Sequence, residues 1–206
     1  MSKEYAYPPE YWDRLFKKGR LGWDMGSVSP PLKAYFDQLG KKSLKILIPG
    51  SGRGWEAEYM FRSGFDQVYY HDFSSRAHKS FLGRVPGFPK EHMLKEDFFS
   101  LKGEFDLVVE QTFFSSIPMG KRPEYARRVY GLLKPGGKFT GLFYNHYFNE
   151  EGPPFGGSYD EYKSLFFNLF NVKVFAVCKN SIKPRAGREF FFILQKPENE
   201  QDKFLS

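Results

Sequence analysis

The chain has 206 residues, of which 41% are apolar, 27% charged and a high 19% aromatic, with 24 Phe and 13 Tyr. That is long enough to bury one large core and too apolar to remain disordered, and nowhere do roughly 18 apolar residues run together to cross a membrane. The net charge of +7 is spread along the sequence, which describes solvated faces and a field that steers small anions, not a nucleic-acid groove.

Residues 1–40 stand apart. Tyr11 to Phe16 reads as a short amphipathic helix, followed by Gly22-Trp23-Asp24-Met25-Gly26 and Ser29-Pro30-Pro31. Such a segment either covers the sheet or, with two Trp and a Phe in an otherwise polar region, forms a lid over a ligand. From residue 44 to 195, apolar strand-like runs alternate with helical patterns. The runs are 44–48, 67–72, 93–98, 105–114, 138–144, 171–179 and 189–195, with helices predicted near 55–63, 75–84, 123–133 and 159–167. The alternation predicts an α/β domain with a mainly parallel sheet. Pro123 just inside one helix start, and Ser158 with Glu161 as a capping box at another, support the helix assignments. Only Asn180 to Arg188 separate the last two strands, too few for a crossover helix, so that pair is an antiparallel hairpin at the sheet edge. Residues 197–206 read as a frayed tail, and no repeat or linker divides the chain.

Two features exclude other chemistries. A single Cys178 rules out a disulfide framework within the chain, suits a reducing cytoplasm, and reads as a packing thiol in the apolar run from Val172. The four histidines, His71, His78, His92 and His146, are scattered without a metal-ligand spacing. The N-terminus, Met-Ser-Lys-Glu-Tyr, lacks an apolar signal core. The expectation is a cytoplasmic monomer without metal, membrane or nucleic-acid partners.

The strongest ligand signal is Lys45-Ile-Leu-Ile-Pro-Gly-Ser-Gly-Arg-Gly-Trp-Glu56, a strand-like run breaking into Gly50, Gly52 and Gly54 before a helix. Glycines at such a turn let the backbone approach a ligand, and the helix start offers free N–H groups. Asp72 closes the next apolar run, 22 residues after Gly50, where a carboxylate accepts both ribose hydroxyls in a Rossmann-like unit. Trp55 occupies the place of the third glycine of the dinucleotide pattern, so the loop fits S-adenosylmethionine better than NAD. His71, one residue before Asp72 on a strand, is expected to face away from it.

With these pieces in view, the chain resembles the thiopurine S-methyltransferase-like family, especially its thiol and halide methyltransferase branch, from Tyr11 to about Gln195. The markers are Trp12 with Phe16, Trp23-Asp24-x-Gly26, Pro49 to Gly54, Asp72-Phe73-Ser74, Lys95-Glu96-Asp97-Phe98, Asp106 to Phe114, Lys134-Pro135-Gly136-Gly137 and Gly152-Pro153-Pro154-Phe155. The resemblance implies the Rossmann-like seven-stranded methyltransferase fold, with its last strand antiparallel and an N-terminal lid. It also implies S-adenosylmethionine as cofactor. Carried over by position, Trp12, Phe16 and Trp23 are lid contacts to that cofactor, and Gly50 and Gly52 lie under its methionyl part. Asp72 takes the ribose, Asp97 and Phe98 the adenine, and Gln111 faces the cofactor's centre. Phe16 and Gln111 stand where relatives often have Trp and Tyr. Many methyltransferases carry an acid where this chain has Ile48, and Glu56 either answers the cofactor's amino group instead or stabilises the helix start.

Nucleic-acid amino-methyltransferases carry a similar Asn/Asp-Pro-Pro-aromatic motif directly after the fourth strand, whereas here Gly152 to Phe155 follows the fifth. Two prolines and an aromatic there wall a small pocket. Methyl transfer from a sulfonium needs alignment and exclusion of water, and oxygen or nitrogen nucleophiles add a base. No convincing base is found; His146, after the fifth strand, is the nearest candidate. A pocket of Trp23, Phe113, Tyr144, Pro154 and Phe155, with Arg185 or Arg188 supplying charge, suits a soft anion. The reading is a methyltransferase acting on a small thiol, hydrosulfide, halide or thiopurine-like acceptor. The alternatives are small-molecule O- or N-methylation and a non-catalytic cofactor-binding module.

Overall fold

The computed structural model describes residues 7–19, 21–148 and 152–199. A seven-stranded sheet forms the centre: β1 (Ile46–Ile48), β2 (Val68–His71), β3 (Met93–Leu94), β4 (Phe105–Gln111), β5 (Leu133–Tyr144), β6 (Asn171–Val177) and β7 (Glu189–Gln195). Their spatial order is β3-β2-β1-β4-β5-β7-β6. The first five strands are parallel, and β7 lies antiparallel between β5 and β6. The short link before β7 therefore forms the expected hairpin, with β6 as the outer strand.

Strand alternation feeds two apolar layers. Leu47, Val108, Phe139, Phe143 and Phe192 face one side, where α5 (Arg122–Leu132) and α6 (Tyr159–Phe166) bring Tyr125, Val129, Tyr162 and Phe166. Ile46, Ile48, Val68, Leu107 and Val109 face the other. There α2 (Pro30–Phe36), α3 (Trp55–Arg62) and α4 (Ser75–Arg84) bring Leu32, Phe36, Ala57, Met60 and Phe81. Ser158 caps α6 by accepting from Glu161 N, and Ser74 caps α4 by accepting from Ala77 N.

Four boundaries depart most from expectation. The third run ends at Leu94 because it pairs only with β2 at the sheet edge, and Asp97 then turns the chain by accepting from Phe99 N at 2.7 Å. The fourth run ends at Gln111 because Thr112 adopts φ 64°, a left-handed conformation that a β-branched residue rarely takes. The fifth reaches back to Leu133, which pairs with Phe105 across a register shift. Pro30-Pro31, grouped with a loop from sequence, opens α2: proline is tolerated in the first helical turn, whose N–H groups have no partner within the helix. Residues 1–6, Arg20, 149–151 and 200–206, including most of the expected tail, lie outside the described residues.

The N-terminal helix α1 (Pro9–Lys18) has no buried residue. Contacts at its rim hold it across the sheet's end. Asp13 accepts from the Ser74 hydroxyl and from Arg76 N, 3.3 Å, at the start of α4. Tyr7 donates its hydroxyl to Gly152 O at 3.0 Å.

Candidate active site

A cavity of about 450 Å³ opens at the carboxyl ends of the parallel strands, where the strand order reverses between β1 and β4, the usual ligand position of open α/β sheets. Its floor is the glycine loop after β1. Gly50 and Gly52 have φ of 57° and 54°, conformations that strain any residue with a Cβ. At Gly50 a Cβ would also lie 2.2 Å from the Phe113 ring. Gly52 donates its N–H to Asp72 Oδ2 at 2.9 Å, while Ser74 N–H reaches Asp72 Oδ1 at 2.8 Å. Burial pushes the Asp72 pKa up to about 6; those two N–H donors pull it down, and the Asp13 charge adds to the rise.

The expected contact residues divide. Trp12, Phe16, Trp23, Gly50, Gly52, Asp72, Phe98, Phe113, Tyr144 and Pro154 line this cavity. Trp12 and Trp23 meet edge to face with centroids 5.5 Å apart, an arrangement favoured by the ring quadrupoles. Asp97 does not line the cavity, although its neighbour Phe98 does. Gln111 lines a separate small cleft with Trp23, Arg53 and Glu56, and both its buried amide atoms lack a hydrogen-bond partner among the described residues. Phe155 lies behind Pro154; its N–H donates to Ser115 O at 2.6 Å and its ring packs near Tyr7. Arg188 is exposed outside the cavity, donating to His146 Nε2 at 2.7 Å. Arg185 is buried instead, donating to Trp23 O at 2.9 Å and to Glu189 Oε1 at 3.3 Å. It therefore ties the Trp23 segment to β7. Glu56, also buried, accepts from Ser29 N at 3.0 Å, fixing the start of α2.

One expectation is reversed. His71 lines the cavity together with Asp72. Strand alternation ceases at His71, the last residue of β2, so Asp72 already belongs to the following turn and both side chains reach the same space. Sequence reading also passed over Thr112, Ser115, Lys121 and Phe148 on the wall. They sit on loops and short 3-10 turns whose course no periodicity encodes.

Apart from tyrosines, the lining carries three ionisable residues among those described: His71, Asp72 and Lys121. Lys121 pairs with Glu124 at 3.0 Å. His71 has a hydrogen-bond contact at each ring nitrogen, and burial first of all pushes its pKa down to about 4. Burial raises the Tyr144 hydroxyl above its ordinary value. The hydroxyls of Ser115 and Ser116 donate to Thr112 O and Phe113 O, each at 2.6 Å. His146 is not on the lining, and burial, followed by the Arg188 charge, lowers its pKa. An aromatic chamber with its acid and histidine already bonded can bind and align reactants, but among the described lining residues it presents no free general base. No cluster of three or more His, Cys, Asp or Glu able to hold a metal occurs among the described residues, and no described helix is long and apolar enough to cross a membrane.

Residues 7–192 match the profile of the family described as thiopurine S-methyltransferase. A probable thiol methyltransferase 2 of Arabidopsis thaliana is 30% identical over 186 residues, covering 86% of this chain and 81% of that protein. A thiopurine S-methyltransferase of Vibrio cholerae is 29% identical over 198 residues, covering 87% and 89%. The solved Burkholderia thailandensis 1,6-didemethyltoxoflavin-N1-methyltransferase, with 1,6-didemethyltoxoflavin and S-adenosylhomocysteine bound, superposes with a TM-score of 0.72 at 19% identity, covering 92% and 87%. At that identity the likeness concerns the fold.

Proposed function

The chain belongs to the thiopurine S-methyltransferase family of S-adenosylmethionine-dependent methyltransferases, and on that premise we propose that it methylates a small soft nucleophile, a thiol, hydrosulfide, halide or thiopurine-like acceptor. The observation that carries this reading is the absence of a free base among the described lining residues of an aromatic cavity. Thiolates and halides arrive as nucleophiles and need none; most oxygen and nitrogen acceptors do.

The residues present fit the cofactor. Gly50 and Gly52 leave a backbone cradle that side chains would disfavour, and Asp72 offers a buried carboxylate. The unpartnered Gln111 amide stands beside the loop, and a buried polar group left unpaired costs about 1–3 kcal/mol until something meets it. When bound, S-adenosylmethionine supplies a methyl group on a positively charged sulfur. In this reading Gly50 and Gly52 carry its methionyl part, Gln111 faces its centre, and Asp72 accepts from its ribose. Phe98 takes the face of the adenine and Asp97 its amine. Trp12, Phe16 and Trp23 close over it; their faces attract a cation by about 0.5–2 kcal/mol each. Phe113, Tyr144, Pro154 and, behind it, Phe155 wall the acceptor space and exclude water. Arg188, exposed beside His146, adds positive charge that draws the anion in. Cytoplasmic location, a monomeric state and small-molecule partners complete the proposal; the lone buried Cys178 suits the first, and the cavity of about 450 Å³ suits the last.

The test is a screen of hydrosulfide, iodide, aromatic thiols and thiopurines, following S-adenosylhomocysteine release. Turnover confined to phenols or amines would replace the proposal with base-assisted chemistry. Cofactor binding without turnover on any acceptor would leave a binding module.

A further inference from the structure

His71 is 3% exposed yet lines the cavity, and its two ring nitrogens reach two separate loops. Its Nε2 lies 2.8 Å from Glu96 O. A carbonyl only accepts, so Nε2 carries the proton and Nδ1 keeps a lone pair. That lone pair faces Gly50 N–H, with a longer nitrogen–nitrogen distance of 3.4 Å. Two aromatic rings flank the imidazole, Phe98 at 6.0 Å and Phe113 at 6.4 Å between centroids, inclined to it by 64° and 67°. The backbone of the same residue adds a third tie, His71 O accepting from Ser51 N at 2.8 Å. Gly50 belongs to the glycine loop; Glu96 opens the turn that carries Asp97 and Phe98.

We propose that the His71 imidazole is a positioning residue that joins the Gly50 amide to the Glu96 carbonyl and so sets the distance between the glycine loop and the Asp97-Phe98 turn. The inference rests on the cofactor reading above, in which one elongated ligand touches both loops. A ligand spanning the two gains from their fixed spacing, because the ordering is done before it binds. A ligand touching one loop gains nothing from it. The neutral ring serves this purpose in a single tautomer, and burial keeps it neutral at physiological pH. A second proton, on Nδ1, would point at the Gly50 N–H and drive the loops apart.

Three variants separate the two bonds. His71→Asn places an oxygen near the Nδ1 position and retains the acceptor for Gly50; His71→Gln reaches toward Glu96 O and retains that donor; His71→Phe keeps the ring and loses both. Calorimetry with S-adenosylhomocysteine should show His71→Phe binding about tenfold more weakly than wild type, with Asn and Gln between. Adenosine, which touches only one side, should bind His71→Phe within about twofold of wild type. With a thiol acceptor, KM for S-adenosylmethionine should rise by the same factor, while kcat and the thiol KM stay within about twofold. Because the backbone tie through Ser51 survives every variant, a larger collapse is not expected. Nitrogen-15 spectra of the wild-type protein should show the Nε2–H tautomer. An Nδ1–H tautomer, or S-adenosylhomocysteine binding to His71→Phe within about twofold of wild type, would overturn the proposal, as would equal losses for S-adenosylhomocysteine and adenosine. Wild-type protein that binds no S-adenosylhomocysteine would sink the cofactor reading instead, and the tautomer would still report whether His71 bridges the loops.

Discussion

Asp72 offers the sharpest test because its ionisation and its ligand are coupled. In the unliganded protein, burial lifts its pKa from 3.8 to about 6. A ribose whose hydroxyls donate to the carboxylate favours the charged form and pulls that value down again. Binding therefore expels the proton: near pH 6, about half a proton leaves per ligand bound, read as a buffer-dependent heat in calorimetry. Above about pH 7 affinity should be level, and below about pH 6 it should fall, approaching tenfold per pH unit. Asp72→Asn should abolish the proton release and weaken S-adenosylhomocysteine by about 1.5–3 kcal/mol, the worth of hydrogen bonds to a charged group, or roughly 10- to 150-fold. The substitution has a second cost. Gly52 N–H and Ser74 N–H each use one carboxylate oxygen, and an amide has only one oxygen to offer, so a buried donor loses its partner. The sign for stability is opposite to that for binding. An acid whose folded pKa is raised destabilises the fold as pH climbs from the unfolded to the folded value. Unliganded protein should lose about 3 kcal/mol from this group between about pH 4 and 6, and ligand should restore it. Level affinity from about pH 5 to 8, together with Asp72→Asn binding within about twofold of wild type, would refute the reasoning.

A lid held only by its rim should respond to ligand: amide exchange over Tyr11 to Gly26 should slow on adding S-adenosylhomocysteine, and Asp13→Ala, which releases the Ser74 and Arg76 contacts, should speed it in the free protein. Equal protection with and without ligand would make α1 ordinary packing. Base-free chemistry predicts that iodide methylation is nearly flat between about pH 6 and 9 and that thiol rates follow the thiol's own ionisation. His146→Ala should leave kcat nearly unchanged and Arg188→Ala should mainly raise the thiol KM, whereas a loss of about 100-fold in kcat for His146→Ala would point to oxygen or nitrogen acceptors. Glu110 is fully buried, accepts from Phe114 N at 2.8 Å and from the Tyr125 hydroxyl, and is pushed by burial to about 7. Its raised value means stability falls as pH climbs from about 4.5 to 7, and thermal melts of Glu110→Gln should lack that part of the slope.

Much of the fold was legible because it is written locally. Apolar runs of strand length, glycines at the strand-to-helix turn and the Ser158 cap each act over a few residues, and the nine residues between the last two apolar runs exclude a parallel crossover. The same holds for the part of the site built on strand ends: Gly50, Gly52 and Asp72 line the cavity because β1 and β2 must end side by side. What lies beyond the strand ends was decided in three dimensions. Arg185 and Arg188 are three residues apart in one polar loop and look interchangeable in sequence. Yet Trp23 and Glu189 surround one with acceptors inside the protein, while the other turns outward to His146. Phe113 lies over Gly50 because Thr112 takes a left-handed turn that no residue-type preference announces. His71 faces the cavity because its strand stops one residue before Asp72. A side chain's direction depends on where the hydrogen-bonded ladder stops and on which partners from distant segments, such as Gly50 and Glu96, wait at its end; only the packed chain brings those together.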